Sequence, residues 1–186
     1  MTNNDTRKGR LQLILLALVF FGPLLVAILM YFGGAQPDGK QVNYGQFIEP
    51  PISLDAKLHF DTGLRGRWTL IYKTAAPCEE TCERALIDIR QIRLATGREI
   101  ERIERLLVSE SAVDTDALLA AHPGLAISSS LATVSGELHR ALDPLPAEQL
   151  YIMDPLGNVI LRYDLEPDRK KFLGDLKKLL KFSRIG

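Results

Sequence analysis

The pattern of hydrophobic and polar positions divides the chain into two parts. Residues 11–32 form a run of 22 positions without a charged side chain, whereas apolar and polar residues alternate in the rest. At about 1.5 Å of rise per residue, a helix of this length crosses the roughly 30 Å hydrocarbon core of a bilayer. The run therefore predicts a transmembrane anchor. A cleaved signal peptide is the alternative, because Gly33-Gly34-Ala35 offers small residues to a peptidase.

The charges in front of the apolar run predict its orientation. Three basic residues and one acid precede the run: Arg7, Lys8, Arg10 and Asp5. Because positively charged flanks stay in the cytoplasm, we expect residues 1–10 to be cytoplasmic. Everything after the run is then expected on the other side of the membrane.

The remainder of the chain predicts a tether and one folded domain. Residues 33–52 are rich in Gly, Pro and polar side chains and predict the tether, which leaves 53–186 as the domain. Apolar periodicity predicts the strands 67–73, 103–109, 150–153 and 159–163. Amphipathic stripes predict the helices 79–94, 114–121, 134–142 and 168–182. The segment 124–146 is otherwise interpreted as irregular, with a loop at 128–130. A hairpin turn is predicted at 154–158, between the last two strands.

The order of these elements predicts a fold class. A strand leads into a cysteine-bearing turn and a helix, and the chain closes with a hairpin and a terminal helix. This order is typical of the thioredoxin layout, in which helices flank a central mixed sheet. We therefore predict an α/β, thioredoxin-like fold preceded by one transmembrane helix.

Composition excludes several classes of function. The chain has 23 Lys+Arg and 23 Asp+Glu, so no nucleic-acid partner is expected from its global charge. Its apolar content of 46% excludes wholesale disorder. Its two cysteines are too few for a four-cysteine metal site or a scaffold of several disulfides.

The cysteine pair is the candidate chemistry. Cys78 and Cys82 are separated by three residues at the predicted start of a helix, where N–H groups and the helix dipole stabilise a thiolate. Glu79, Glu80 and Glu83 oppose this, because negative charge disfavours a thiolate. Two thiolates also suit Cu(I). A redox pair, a Cu(I) site, a structural disulfide and two inert thiols all remain open at this point.

Three stretches of the chain resemble the SCO/SenC family. They are RGRWTLIYKTAAPCEETC, VSESAVDTDALL and YIMDPLGNVILRY, and the resemblance covers about residues 60–183. Members of that family are membrane-anchored, thioredoxin-fold proteins that assist copper insertion into cytochrome c oxidase. The resemblance therefore implies copper as the metal, and oxidase subunits or assembly factors as partners. It also implies a single-pass protein of a bacterial inner membrane with a periplasmic C-terminal domain.

The chain departs from the family pattern at its metal ligands. The family's C-x3-C falls on Cys78 and Cys82, but acidic residues follow both cysteines where the family usually has prolines. The family's copper-binding histidine would fall near Pro146, and the closest histidine is His139, seven residues earlier. His139 is a metal ligand only if the intervening segment folds back. The chain thus resembles a divergent member that lacks the copper-ligand histidine. The other two histidines, with no role assigned, are His59 and His122.

These observations favour one hypothesis and keep two alternatives. In the favoured one, Cys78 and Cys82 are the catalytic pair of a thiol-disulfide oxidoreductase, or pass Cu(I), during maturation of the oxidase copper sites. The first alternative is a non-catalytic membrane-tethered scaffold for oxidase assembly with a structural disulfide. The second is a general thiol oxidoreductase or peroxide sensor unrelated to copper.

Overall fold

The computed structural model describes residues 3–33, 43–55, 63–129, 133–183 and 185. The chain forms two compact units, Met1–Val42 and Asn43–Gly186. In the first unit, helix α1 spans Asn3–Phe32 and includes Pro23. Its segment Lys8–Phe32 has the length and composition of a membrane-spanning helix or of a signal sequence.

The second unit is a six-stranded mixed sheet with helices on both faces. The strands are β1 Gln46–Ser53, β2 Trp68–Thr74, β3 Ile103–Ser109, β4 Leu125–Ser129, β5 Gln149–Met153 and β6 Asn158–Asp164. The helices are α2 Glu80–Leu94, α3 Thr115–Ala121, α4 Thr133–Leu142 and α5 Arg169–Phe182, with a 3-10 turn at Gly97–Arg102. The fold class predicted from the sequence is confirmed.

Strand β2 is the centre of the sheet, whose order is β1-β6-β5-β2-β3-β4. It pairs in parallel with β3 and antiparallel with β5, and all seven of its residues are buried. Leu70 and Tyr72 point into a core cluster shared with α2 and α5, whereas Ile71 points into a second cluster shared with α4. Burial on both faces explains why apolar residues stand at consecutive positions in this strand, at Leu70, Ile71 and Tyr72, rather than at alternating ones.

Two strands lie where the sequence predicted none. Residues 46–52, expected in the tether, belong to β1, which pairs antiparallel with β6. Pro50 and Pro51 hid this strand, but an edge strand tolerates them because one of its sides needs no N–H donors. Strand β4 lies in the segment predicted as irregular and pairs in parallel with β3. Its serines weakened the apolar signal. Part of the predicted tether and of the serine loop lies outside the described residues.

A buried carboxylate ties the start of the domain to its last helix. Asp175 of α5 is 2% exposed and accepts hydrogen bonds from the main-chain N–H groups of Tyr44 at 2.7 Å and Gly45 at 2.9 Å. The ring of Tyr163 stacks on Phe172 of α5, with centroids 4.0 Å apart. These contacts hold the residues just before β1, and strand β6, against α5.

Candidate functional site

The two cysteines form a disulfide where the central strand gives way to helix α2. Strand β2 ends at Thr74, and Cys78 follows a short turn. Helix α2 begins at Glu80, so Cys82 lies in its first turn. The Cα atoms of the two cysteines are 4.9 Å apart. The residues that the sequence singled out are therefore brought together.

The two cysteine side chains differ in accessibility. Cys82 is 2% exposed and belongs to the core cluster beneath α2, whereas Cys78 is partly buried and contacts that cluster from its edge. The helix start favours a thiolate at Cys78, while the acids Glu80 and Glu83 in the first turn disfavour one. In the reduced pair, Cys78 is the sulfur that another molecule reaches more easily. Cys82 is placed to attack the Cys78 sulfur and to release a molecule that is bound there as a mixed disulfide.

A carboxylate that the sequence analysis missed holds the turn before the disulfide. Oε1 of Glu148 accepts hydrogen bonds from the Thr74 hydroxyl at 2.7 Å and from the N–H groups of Ala75 and Ala76 at 3.0 and 3.4 Å. Its Oε2 accepts a hydrogen bond from the Tyr72 hydroxyl at 2.7 Å. The side chain of Glu148, the residue just before β5, thus contacts both the end of β2 and the turn before the disulfide.

Burial and these hydrogen bonds together determine the protonation states of Glu148 and Tyr72. Burial raises the pKa of the Glu148 carboxyl, but hydrogen bonds from Tyr72, Thr74, Ala75 and Ala76 outweigh burial and leave that pKa below its ordinary value. Burial, and then the hydrogen bond to Glu148, raises the pKa of the Tyr72 hydroxyl well above its ordinary value. At neutral pH, Glu148 is therefore a charged acceptor and Tyr72 a neutral donor.

Helix α3 ends at a buried histidine that reaches α2 beside the disulfide. His122 is 3% exposed, and its Nε2 lies 2.8 Å from Oε2 of Glu83. Its Nδ1 has no hydrogen-bond partner within the described residues. The sequence predicted a helix end at this position, but it gave no sign of the partner 39 residues away. The contact fixes the first turn of α2 against α3.

His139 lies in helix α4 beside two carboxylates, whereas His59 lies outside the described residues. Ligand atoms of Glu110, His139 and Asp143 lie within 4.8 Å of one another, and this group in the described chain includes neither cysteine. The buried ammonium of Lys73 lies 3.3 Å from Glu110 and donates to the carbonyl of Asp143 at 3.0 Å. The fold therefore already neutralises part of this cluster. A role for His139 as a copper ligand stays a prediction.

The loop before β5 carries no imidazole at the position where the resembled family has one. Pro146 stands there, and its carbonyl accepts a hydrogen bond from the Tyr151 hydroxyl at 2.5 Å. Burial raises the pKa of Tyr151 to about 12, so this hydroxyl is a neutral donor. The candidate metal donors next to the helix start are thus the two sulfurs, which bind a metal only as thiolates.

The fold of the second unit is similar to those of several solved structures. The second unit is similar to yeast Sco1, with 18% identity, a TM-score of 0.52, and coverage of 78% of this chain and 98% of that one. It is also similar to copper-bound ScoI of Arabidopsis thaliana, with 15% identity, a TM-score of 0.51, and coverage of 66% and 89%. A SCO1/SenC family lipoprotein from Bacillus anthracis is 11% identical, with a TM-score of 0.50 and coverage of 76% and 98%. At these identities the likeness establishes the fold alone.

Comparison with protein families covers both units. The family model described as a transmembrane-like, N-terminal domain matches residues 4–34. The model described as a transmembrane-like, thioredoxin-like, C-terminal domain matches residues 68–183. No curated protein matches the chain. The second match spans more than half of the sequence and includes the disulfide, β2 to β6 and helices α2 to α5. The chain therefore belongs to the family of transmembrane-like proteins with a thioredoxin-like C-terminal domain.

Proposed function

We propose that this protein is a membrane-anchored, periplasmic thiol-disulfide protein that assists maturation of the copper sites of cytochrome c oxidase. The observation that carries the proposal is the disulfide between Cys78 and Cys82 at the start of α2, with one cysteine accessible and the other buried. The likeness of its fold to copper-bound ScoI and to yeast Sco1 supports the choice of process. The basic residues before α1 support a periplasmic location for the disulfide.

The chemistry is a two-step thiol-disulfide exchange. In the reduced protein, the Cys78 thiolate attacks a disulfide of the client, which forms a mixed disulfide and releases one client sulfur as a thiolate that takes up a proton. The Cys82 thiol then loses its proton and attacks the Cys78 sulfur, which forms the disulfide and releases the second client thiol. Two electrons pass to the client. A dithiol reductant in the same compartment returns the pair to its reduced form.

Copper would be the cargo of the cysteine pair rather than a resident cofactor. Two thiolates are soft ligands that suit Cu(I), whereas Cu(II) favours an additional imidazole. The pair fits Cu(I) only when it is reduced, because the disulfide leaves no thiolate. The loop position near Pro146 has no imidazole, and the neighbours of His139 are carboxylates. These observations favour thiol exchange or transient passage of Cu(I) over stable binding of Cu(II).

A non-catalytic scaffold is the competing function. The burial of Cys82 at 2% exposure favours it, because a buried disulfide also stabilises a fold without any turnover. In that case the domain would present a surface to the oxidase, and the cysteines would matter only for stability.

Replacement of both cysteines in the full chain distinguishes the two functions. The strain carrying the Cys78→Ser/Cys82→Ser double variant should lose most of its cytochrome c oxidase activity per amount of oxidase protein, while the Thr81→Ala control should keep it. Intact activity in the double variant would favour the scaffold. Added copper forms a third arm, because a thiol function unrelated to copper predicts a defect that copper does not relieve. Membrane abundance of each variant must match that of the wild type.

A further inference from the structure

We infer that Glu148 is a positioning residue for the cysteine pair, because its carboxylate fixes the main chain of the turn that presents Cys78. The inference rests on the proposed redox function of the pair. Glu148 does not belong to any motif that the sequence suggested, and it acts through the backbone rather than by touching the sulfurs.

The contacts of Glu148 fix both of the segments that it joins. Its Oε1 accepts from the N–H groups of Ala75 and Ala76, the latter two residues before Cys78. Its own N–H donates to the Lys73 carbonyl at 2.8 Å, so the backbone of Glu148 is bound to the same strand that its side chain reaches. The turn between β2 and the disulfide is therefore held against the loop before β5 from two directions.

The backbone of Glu148 gives independent support. Its φ is +56°, in the left-handed region that side chains other than glycine rarely adopt. Glycine would satisfy that backbone conformation with less strain, but it would remove the carboxylate. Strained residues persist where the surrounding structure holds them, and they cluster at functional sites. The carboxylate thus stands at a position where backbone geometry alone would favour glycine.

Loss of the Glu148 carboxylate should shift the equilibrium between dithiol and disulfide in one direction. A fixed turn holds Cys78 within reach of Cys82, so freeing the turn gains more entropy for the dithiol form than for the disulfide form. Removal of a negative charge near the turn also favours the thiolate form of the reduced pair. Both effects favour the dithiol. The disulfide of a Glu148 variant should therefore be easier to reduce than that of the wild type.

The chain offers a matched control for this experiment. Glu166 has a φ of +54°, and its side chain is 67% exposed and makes an ion pair with Arg84 at 3.2 Å. Glu166→Gly relieves the same kind of backbone strain as Glu148→Gly without touching the turn before the disulfide. Glu148→Gln keeps the shape and one acceptor oxygen, so it separates the hydrogen bonds from the charge.

The test measures the equilibrium of the cysteine pair with glutathione redox buffers, using the full chain in detergent micelles. We expect Glu148→Gly to shift the equilibrium toward the dithiol at least tenfold, or about 30 mV for a two-electron couple. Glu148→Gln should shift it less, and Glu166→Gly should stay within about twofold of the wild type. A Glu148→Gly equilibrium equal to that of Glu166→Gly would overturn the inference.

Two further readouts keep the result unambiguous. Unfolding monitored by the fluorescence of Trp68, the single tryptophan, checks that each variant is folded at the temperature of the redox measurement. If Glu148→Gly does not fold, Glu148→Ala decides the question, because it also removes the acceptor of the turn's hydrogen bonds. A shift of its equilibrium toward the dithiol supports the inference, and an unchanged equilibrium overturns it. Oxidase activity of the Cys78→Ser/Cys82→Ser strain tests the proposed function separately, since the redox equilibrium is measured without any client.

Discussion

The imidazole Nε2 of His122 lies 2.8 Å from a carboxylate oxygen of Glu83, the residue that follows Cys82. The contact joins the end of α3 to the first turn of α2, and the histidine ring is buried while the carboxylate is partly exposed. A polar pair in this position anchors the helix turn that carries the buried cysteine. Loss of this contact should therefore lower the free energy of unfolding and loosen the helix turn that carries Cys82.

Replacing His122 tests this anchor. His122→Ala removes the partner of Glu83 and leaves a void at the end of α3, so we expect a loss of about 1–3 kcal/mol in the free energy of unfolding. Urea unfolding monitored by Trp68 fluorescence measures it, because Trp68 is 4% exposed and lies in the core that α2 covers. Glu79→Gln, on an exposed neighbouring acid, should change the free energy little. Equal stabilities for His122→Ala and the wild type would show that the pair anchors nothing.

Two glycines of the sheet unit should respond in opposite directions to alanine. A Cβ on Gly45 would overlap the ring of Tyr163, which is held against Phe172. Gly45→Ala should therefore destabilise the unit by about 1–3 kcal/mol. A Cβ on Gly174, within α5, would meet nothing within 4 Å, so Gly174→Ala should stabilise the unit by about 0.5–1 kcal/mol. Urea unfolding of both variants checks the signs, and a destabilising Gly174→Ala would contradict the packing described for α5.

The lowered pKa of Glu148 predicts a pH dependence of stability. Because the folded carboxyl has a pKa below its unfolded value of 4.5, its contribution is fully present above that pH and is lost as the pH falls through the folded pKa. The free energy of unfolding of the wild type should exceed that of Glu148→Gln by about 1 kcal/mol at pH 7, and this difference should shrink as the pH falls below 4.5. Urea unfolding of both proteins between pH 7 and pH 3 measures the difference. A difference that stays constant over this range would exclude the charge as its source.

Much of the fold follows from local pattern. The regular burial of Phe172, Leu176 and Leu180 in α5, and the apolar run of β2, are visible as periodicity in the sequence. The edge strands β1 and β4 were not predicted, because their prolines and serines give only a weak strand pattern. Each forms by pairing with one neighbour, β1 with β6 and β4 with β3. Tertiary pairing, rather than local preference, forms them.

The candidate site likewise combines residues that a local sequence pattern reveals with residues that only the folded chain brings together. The spacing of Cys78 and Cys82 at a predicted helix start left a disulfide open as one state of the pair, and the structure forms that disulfide. Glu148 was not predictable, since it meets the turn at residues 75–76 only after β5 has paired with β2. The same holds for Glu83 and His122, whose contact depends on the packing of α3 against α2. Contacts between segments that are distant in sequence leave no local pattern to detect.

The most direct test of the central claim is whether the pair forms a covalent bond with another molecule in the cell. Cys82→Ser leaves the accessible Cys78 without its resolving partner, so the mixed disulfide with a client should accumulate and appear as a larger species on a non-reducing gel. Cys78→Ser should give little of this species, because Cys82 is only 2% exposed. Accumulation in Cys82→Ser alone, reversed by a reductant, is the result expected for a redox pair. No adduct in either variant, with both proteins abundant in the membrane, would contradict the account and leave a structural disulfide in its place.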